Sequence, residues 1–194
     1  DGVGETEFKR TVYEDEKCIT AAMGKLGHDV EKYTLTYIVC QKRHHTKFYP
    51  TDADGASGPA GNVRPGLLVE DKIVHQKQFD FFLTSHYGSL GVSKPAHYTV
   101  LKDTWAPSPA FWQTVTHALT FAYAIGPRST SIPGPLMYAH RAAKKAKIHF
   151  DHWKEYEANP DEYNSRMDPL LRQNLEQGAV KIHGNLSHRN MTFC

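Results

Sequence analysis

Short β-rich runs that alternate with helix-periodic segments are the feature that most restricts the fold of this chain. Residues 33–41, YTLTYIVCQ, are rich in β-branched and aromatic side chains and apolar on both faces, which predicts a central strand. Further strands are predicted at 67–70, 79–85 and 97–102. A helix is predicted over 7–26, because its apolar residues fall on one helical face: Phe8, Val12, Ile19, Met23 and Leu26. This mixture of elements predicts an α/β domain.

Two more helices are expected in the second half of the chain. Ser108 and Pro109 are typical of a helix start, and apolar residues then continue at helical spacing up to Gly126. A last helix is predicted to begin near Leu136, after a break rich in Pro, Gly and Ser. By contrast, residues 50–66 are dense in turn-forming residues, which predicts a surface loop.

Length and composition exclude several classes of protein. A chain of 194 residues is long enough for one domain with a hydrophobic core. No apolar stretch approaches the roughly 18 residues of a membrane span, so no membrane association is expected. Three cysteines without a CxxC pair argue against a disulfide framework and a zinc knuckle, and favour the cytoplasm, with the nucleus as an alternative. The start at Asp1, without a Met, indicates a fragment.

Two clusters of positive charge are hidden by a net charge of only +2. Clustered cations are typical of surfaces that bind phosphate, although an isolated KKAK is as often a solvated helix face. Adjacent residues of a strand point to opposite faces, so neighbouring histidines are not expected to chelate one metal together. The clusters are Lys42, Arg43 and Lys47, with His44 and His45 between them, and Arg141, Lys144, Lys145 and Lys147.

Several long motifs then follow one another in a recognisable order. They are YIVCQKRHHTKFYP, GNVRPG, DKIVHQKQFDFFLTSHYGSLGVSKPAHYTVL, RSTSIPGPLMYAHRAA and a C-terminal VKIHGNLSHRNMTFC. In order and spacing, the chain resembles the second half of the PIWI domain of eukaryotic Argonaute proteins. The resemblance implies an RNase H-like fold, a mixed sheet flanked by helices. It also implies three parts: the C-terminal part of PIWI at 1–150, a variable surface insertion at 151–178, and a tail at 179–194 that packs back on PIWI.

The resemblance assigns roles to individual residues. DGV and YAH match motifs that carry catalytic positions of the family, so Asp1 and His140 are expected to be the catalytic and metal-binding residues. Mg²⁺ or Mn²⁺ is the implied cofactor. The family's other two acidic residues lie upstream, so the chain alone is expected to be inactive. Contacts with the backbone of a guide RNA are expected from Lys42, Arg43, Lys47, His86, Lys94, Ser131 and Lys145.

The implied function is that of an Argonaute protein in RNA silencing, which binds a small guide RNA and performs metal-dependent endonucleolytic cleavage of complementary RNA. One alternative is a non-slicing Argonaute that silences by recruiting partners. Another, from the residues alone, is an unrelated basic RNA-binding domain without catalysis. The expected partners are the guide RNA, the target RNA, and the MID domain and first half of PIWI in the remainder of the chain. In the tail, Phe193 is expected to be buried and Cys194 to lie near the helix bearing Lys145.

Overall fold

The computed structural model describes residues 2–52 and 54–158, and the chain divides into two units, Asp1–Gly134 and Pro135–Cys194. In the described residues the α-helices are α1 (Phe8–Lys25), α2 (Pro109–Leu119) and α3 (Gly134–Ala158). The strands are β1 (Thr36–Gln41), β2 (Ala56–Ser57), β3 (Asn62–Val63), β4 (Leu67–Val69), β5 (Asp80–Thr84) and β6 (Ala96–Asp103). Single turns of 3-10 helix occur at Glu5–Glu7 and Val30–Lys32.

Strand β6 is the strand around which the main sheet is built. It pairs antiparallel with β1 on one side and with β5 on the other, and β4 completes the order β1-β6-β5-β4. Gln41 lies opposite His97, and Leu83 lies opposite Ala96. The last residues of β1 and of β5 therefore both lie beside the first residues of β6, so the segments that follow them start at the same end of the sheet.

The core is centred on the β5–β6 pair. Phe81 and Tyr98 are cross-strand partners whose rings stack at 5.2 Å between centroids, and they are 0% and 1% exposed. Every residue of β5 is buried. Since successive side chains of a strand point to opposite faces, burial of the whole strand shows that the sheet is covered on both sides here.

Strand β1 confirms the strand predicted at 33–41 but lies at an edge of the sheet within the described residues, where the sequence predicted a central strand. Its neighbouring residues Val39 and Cys40 are both buried, so both faces are covered. Packing above and below a strand does not require pairing along both edges, which is why the apolar pattern misled the prediction. Along the other edge, the Gly2 N–H donates to the Cys40 carbonyl at 3.1 Å.

The turn-rich stretch 50–66 also departs from the prediction of a surface loop. It contains the β2–β3 hairpin, in which Ala56 pairs with Val63, and both residues of β3 are buried. Strands of two residues carry no alternating pattern that a sequence could show.

Helix α1 confirms the helix predicted over 7–26, and Gly27 follows it at a φ of 75°. Phe8 is its buried residue, whereas Leu26 is 74% exposed. The helix is joined to the sheet by polar contacts: the Tyr37 hydroxyl donates to Asp15 at 2.5 Å, and Lys102 pairs with Glu16.

Helix α2 starts at Pro109 as predicted but ends at Leu119, short of the predicted Gly126. The Ser108 side chain makes no capping hydrogen bond. Hydrogen bonds explain why the helix ends here. The Thr120 carbonyl accepts bonds from both the N–H and the hydroxyl of Thr130, each at 2.9 Å. Those bonds replace the one that a further helical turn would supply.

Helix α3 begins two residues before the predicted position and runs to Ala158, through the first residues of the expected insertion at 151–178. None of the helices in residues 2–52 and 54–158 combines the length and the apolar character that a membrane span requires.

Gly134 allows a close approach between two backbone segments. A Cβ at this position would lie 2.9 Å from the carbonyl carbon of Ala122 and 3.0 Å from its oxygen. We expect Gly134→Ala to lower the free energy of unfolding by about 1 to 3 kcal/mol, the usual cost of overpacking. Gly24→Ala is the matched control, because a Cβ there meets open space within α1. Thermal unfolding of the two variants checks this; equal melting temperatures would contradict the predicted clash.

Candidate nucleic-acid interface

Three of the residues expected to bind a guide converge where β1, β5 and β6 meet. Lys42 directly follows β1, while His86 and Lys94 lie near the two ends of the loop between β5 and β6, residues 85–95. Burial lowers the pKa of Lys42, and the nearby charge of Lys94 lowers it further. Burial also lowers the pKa of His86, with a further contribution from the charge of Lys42. We call Lys42, His86 and Lys94 the strand-end cluster.

The lysines of the strand-end cluster lack a compensating negative charge in the described part of the chain. Lys42 and Lys94 are both partly buried, and no carboxylate there forms an ion pair with either of them. Taking a cation out of water is costly unless an opposite charge approaches it, and a second cation nearby raises that cost. An anion bound between these side chains would relieve both effects.

His86 contributes a neutral ring at physiological pH. Its pKa is lowered from 6.5 to about 4, and its Nδ1 is buried without a hydrogen-bond partner among the described residues. Since the folded-state pKa lies below the unfolded value, the unfolded state binds more protons between these values, so stability is lost as pH falls from about 6.5 towards 4. At pH 7 the ring can offer a hydrogen bond but no charge.

His44 joins the segment after β1 to the β5–β6 loop. Its Nε2–H donates to the Pro95 carbonyl at 2.9 Å, and its ring lies edge-on against Phe82 and His97. Burial lowers its pKa, so the ring is a neutral structural group rather than a surface cation. Because Lys42 and Lys94 each lie within two residues of this bond, His44 keeps the two lysines together. The neighbouring His45 is exposed; both histidines follow β1, so the strand alternation expected for the pair does not apply to them.

The buried carboxylate of Asp80 contacts the start of β6. His97 Nε2 lies 2.6 Å from Asp80 Oδ2, and Asp80 Oδ1 accepts the His75 N–H at 2.8 Å. The His97 ring stacks on Phe82 with 4.2 Å between centroids. These interactions hold the first residues of β6, and with them the end of the loop that carries Lys94.

Asn62 of β3 forms a second set of hydrogen bonds to the β5–β6 loop. The Asn62 amide donates to the Gly91 carbonyl at 2.8 Å and to the Gly88 carbonyl at 3.2 Å, while its oxygen accepts the Ser93 N–H at 2.8 Å. No sequence pattern singles this residue out, because an Asn in a turn-rich stretch is most simply a turn former. Only the motif GNVRPG marked its surroundings.

The other predicted residues are distributed as follows. Arg43 and Lys47 are exposed on the segment after β1, and Ser131 is half-buried before α3. The segment of Ser131 is tied to the end of β5, because Ser85 donates to the Thr130 carbonyl and Ser129 donates to the Ser85 carbonyl, both at 2.6 Å. The remaining predicted residues are His140 and Lys145, at exposed positions of α3, and Asp1, which lies outside the described residues together with 159–178 of the insertion and the tail at 179–194.

Within residues 2–52 and 54–158, no three His, Cys, Asp or Glu side chains are grouped so that they could hold a metal ion. His140 is a chemically suitable ligand for Mn²⁺, and the other predicted ligand, Asp1, is outside this range.

Comparison with known proteins decides the family. The Piwi domain family matches residues 1–151. The chain belongs to this family. It is 40% identical over 160 residues to Piwi-like protein ergo-1 of Caenorhabditis elegans, which covers 81% of this chain and 14% of that relative's length. The resemblance seen in the motifs is therefore confirmed.

The structure of this Piwi domain segment is similar to the C-terminal lobe of a budding yeast Argonaute, with a TM-score of 0.73 and 25% identity, covering 82% of this chain and 34% of that one. It is also similar to Kluyveromyces polysporus Argonaute, solved with a guide RNA, with a TM-score of 0.69 and 27% identity, covering 75% and 19% of the two chains. The RNase H-like α/β fold is confirmed. In the described residues its sheets are antiparallel.

The neutral state of His86 leads to a prediction about pH. For an RNA bound at the strand-end cluster, we expect the loss of affinity caused by His86→Gln to be the same at pH 8 and pH 6, because a pKa of about 4 leaves the ring neutral at both. With an ordinary pKa, about three quarters of the rings would be protonated at pH 6, and a phosphate would favour the wild-type protein there. Affinities of the two full-length proteins at both pH values check this. A wild-type advantage that grows towards pH 6 would show a charged ring instead.

Proposed function

We propose that this Piwi domain segment binds the sugar-phosphate backbone of a small guide RNA at the strand-end cluster, as part of an Argonaute protein in RNA silencing. The observation that carries the proposal is the convergence of Lys42 and Lys94, partly buried and without an ion-paired carboxylate in the described residues, around an unpartnered ring nitrogen of His86. Such a group of side chains favours an anion that also accepts or donates hydrogen bonds.

A polymer fits this surface better than a single phosphate. Arg43 and Lys47 extend the positive charge from the strand-end cluster along the segment after β1. A row of cations matches consecutive phosphates, and a neutral imidazole suits a ribose hydroxyl. Contacts of this kind carry no sequence information, so selection of the target would come from base pairing with the guide. The guide RNA present in the structure of Kluyveromyces polysporus Argonaute supports the same ligand class.

We further propose that the intact protein cleaves RNA complementary to the guide. Asp1 and His140 would hold Mg²⁺ or Mn²⁺, together with side chains from the remainder of the protein. A bound divalent ion supplies activation of water and stabilisation of the leaving oxygen. Lys145 would contribute a cation to the pocket for the guide's 5′ phosphate. The intact protein, with its MID domain and the first half of PIWI, is proposed to act in the cytoplasm, where Cys18 and Cys40 can remain free thiols.

Removing charge after β1 tests the RNA-binding surface. We expect the triple substitution Lys42→Ala, Arg43→Ala and Lys47→Ala to weaken guide binding equally for unrelated sequences. The slope of log affinity against log salt should decrease by about 0.7 for each phosphate that the variant no longer neutralises. The matched control removes three exposed lysines of α1: Lys9, Lys17 and Lys25. An unchanged salt slope, or a weakening that depends on guide sequence, would contradict recognition of the backbone by these cations.

The role of His140 is tested separately from binding. We expect His140→Ala in the full-length protein to reduce cleavage of a complementary RNA at least about 100-fold, as loss of a metal-site residue does, while guide affinity remains nearly unchanged. His28→Ala, an exposed histidine after α1, is the control. Equal losses of binding and cleavage would show that His140 has a structural role and would contradict the proposed role at the metal site. Guide binding without cleavage in the wild-type protein would favour the non-slicing alternative.

A further inference from the structure

Asn62 has an unusually complete set of hydrogen bonds for a side chain in a turn-rich segment. The residue is 4% exposed. Its side-chain nitrogen donates two hydrogen bonds and its side-chain oxygen accepts one. The partners determine the orientation of the amide, because carbonyl oxygens accept and an N–H donates. All three bonds go to the backbone of the β5–β6 loop.

These bonds satisfy backbone groups at three positions of the loop. Gly88 and Gly91 present carbonyls to the Asn62 amide, and Gly91 has a φ of 65°, which favours glycine. A Cβ at Gly88 would lie 2.8 Å from Asn62 Nδ2 and 2.1 Å from Ser93 Oγ. The loop therefore fits closely around the Asn62 side chain, and neither partner can change without moving the other.

The ends of this loop carry two members of the strand-end cluster. His86 precedes the first residue bonded to Asn62 by two positions, and Lys94 follows the last one by one position. Lys42 is held near Lys94 by the separate bond of His44 to Pro95. The bonds of Asn62 to the loop thus help to determine where His86 and Lys94 lie relative to Lys42. The hydrogen-bond partners of Asn62 are other residues of the loop.

We propose that Asn62 is a positioning residue for guide binding, which holds the β5–β6 loop so that His86 and Lys94 address the same part of the RNA backbone as Lys42. This inference rests on the proposed function of the strand-end cluster. A purely structural role for Asn62 would stabilise the fold without affecting how many phosphates the folded protein binds. The two roles therefore differ in the salt dependence of binding.

The experiment uses the full-length protein and a labelled single-stranded guide RNA, with affinity measured over a series of salt concentrations. We expect Asn62→Ala to weaken binding about tenfold, the effect of losing one charge-assisted hydrogen bond between the displaced Lys94 and a phosphate, and to reduce the log-log salt slope by up to about 0.7. Gly88→Ala should have the same effect, because it displaces the loop while Asn62 is retained. Gln113→Ala is the control, since it removes a buried amide of α2 that donates to Glu70 instead.

Coupling to His86 and Lys94 completes the test. If Asn62 acts through these two residues, adding Asn62→Ala to the double variant His86→Ala with Lys94→Ala should weaken binding little further, so that the effects are not additive. Additive effects, or an unchanged salt slope in Asn62→Ala and Gly88→Ala, overturn the positioning role while the proposed function stands. If Lys94→Ala itself leaves affinity and slope unchanged, the proposed interface has failed, and the inference fails with it.

Discussion

The antiparallel register of β6 is the constraint on which the candidate interface depends. Gln41 pairs with His97 at one edge of β6, and Leu83 pairs with Ala96 at the other. A shift of either pairing by one residue would turn every side chain of that strand to the opposite face and bury the wrong set. Every residue of β5 is buried, so a shifted register would disturb the packing on both faces of the strand, and the native register holds the ends of three strands together.

Polar side chains complete what the strand register begins. Asp80 contacts His97, and His44 donates to the Pro95 carbonyl. Ser85 donates to the Thr130 carbonyl, and Ser129 donates to the Ser85 carbonyl. A buried polar group is costly when unpaired, so each of these side chains specifies one arrangement of the backbone it contacts. The segments that carry the cations are therefore fixed by hydrogen bonds at several points, which would reduce the entropy lost on binding of the proposed RNA strand.

The charges of the strand-end cluster favour the binding of an anion. A partly buried lysine with a second lysine nearby is unfavourable in the free protein: burial is the main cause of the lowered pKa of Lys42, and the charge of Lys94 adds to it. The buried, neutral ring of His86 adds a hydrogen-bonding group without adding to the repulsion. We interpret the cost as one that a bound phosphate backbone offsets.

Local patterns were sufficient to predict most elements of this Piwi domain segment. The apolar spacing of α1, the β-rich runs of β1, β5 and β6, and the Ser-Pro start of α2 were read correctly, because each depends on residues close in sequence. The order of motifs was likewise enough to assign the family, which the comparison confirmed.

Tertiary structure alone decided the rest, most of which involves partners that are distant in the chain. The edge position of β1 follows from the strand order of the sheet, and the end of α2 at Leu119 is accompanied by the bonds of Thr120 to Thr130; no local pattern shows either. The β2–β3 hairpin is local, but its strands of two residues are too short to give a pattern. The site also depends on partners that are distant in the chain. The motifs indicated Lys42, His86 and Lys94 as separate candidates. Their convergence depends on strand partners that lie 13 to 67 residues apart in the sequence, and the part of Asn62 in it depends on its bonds to the β5–β6 loop.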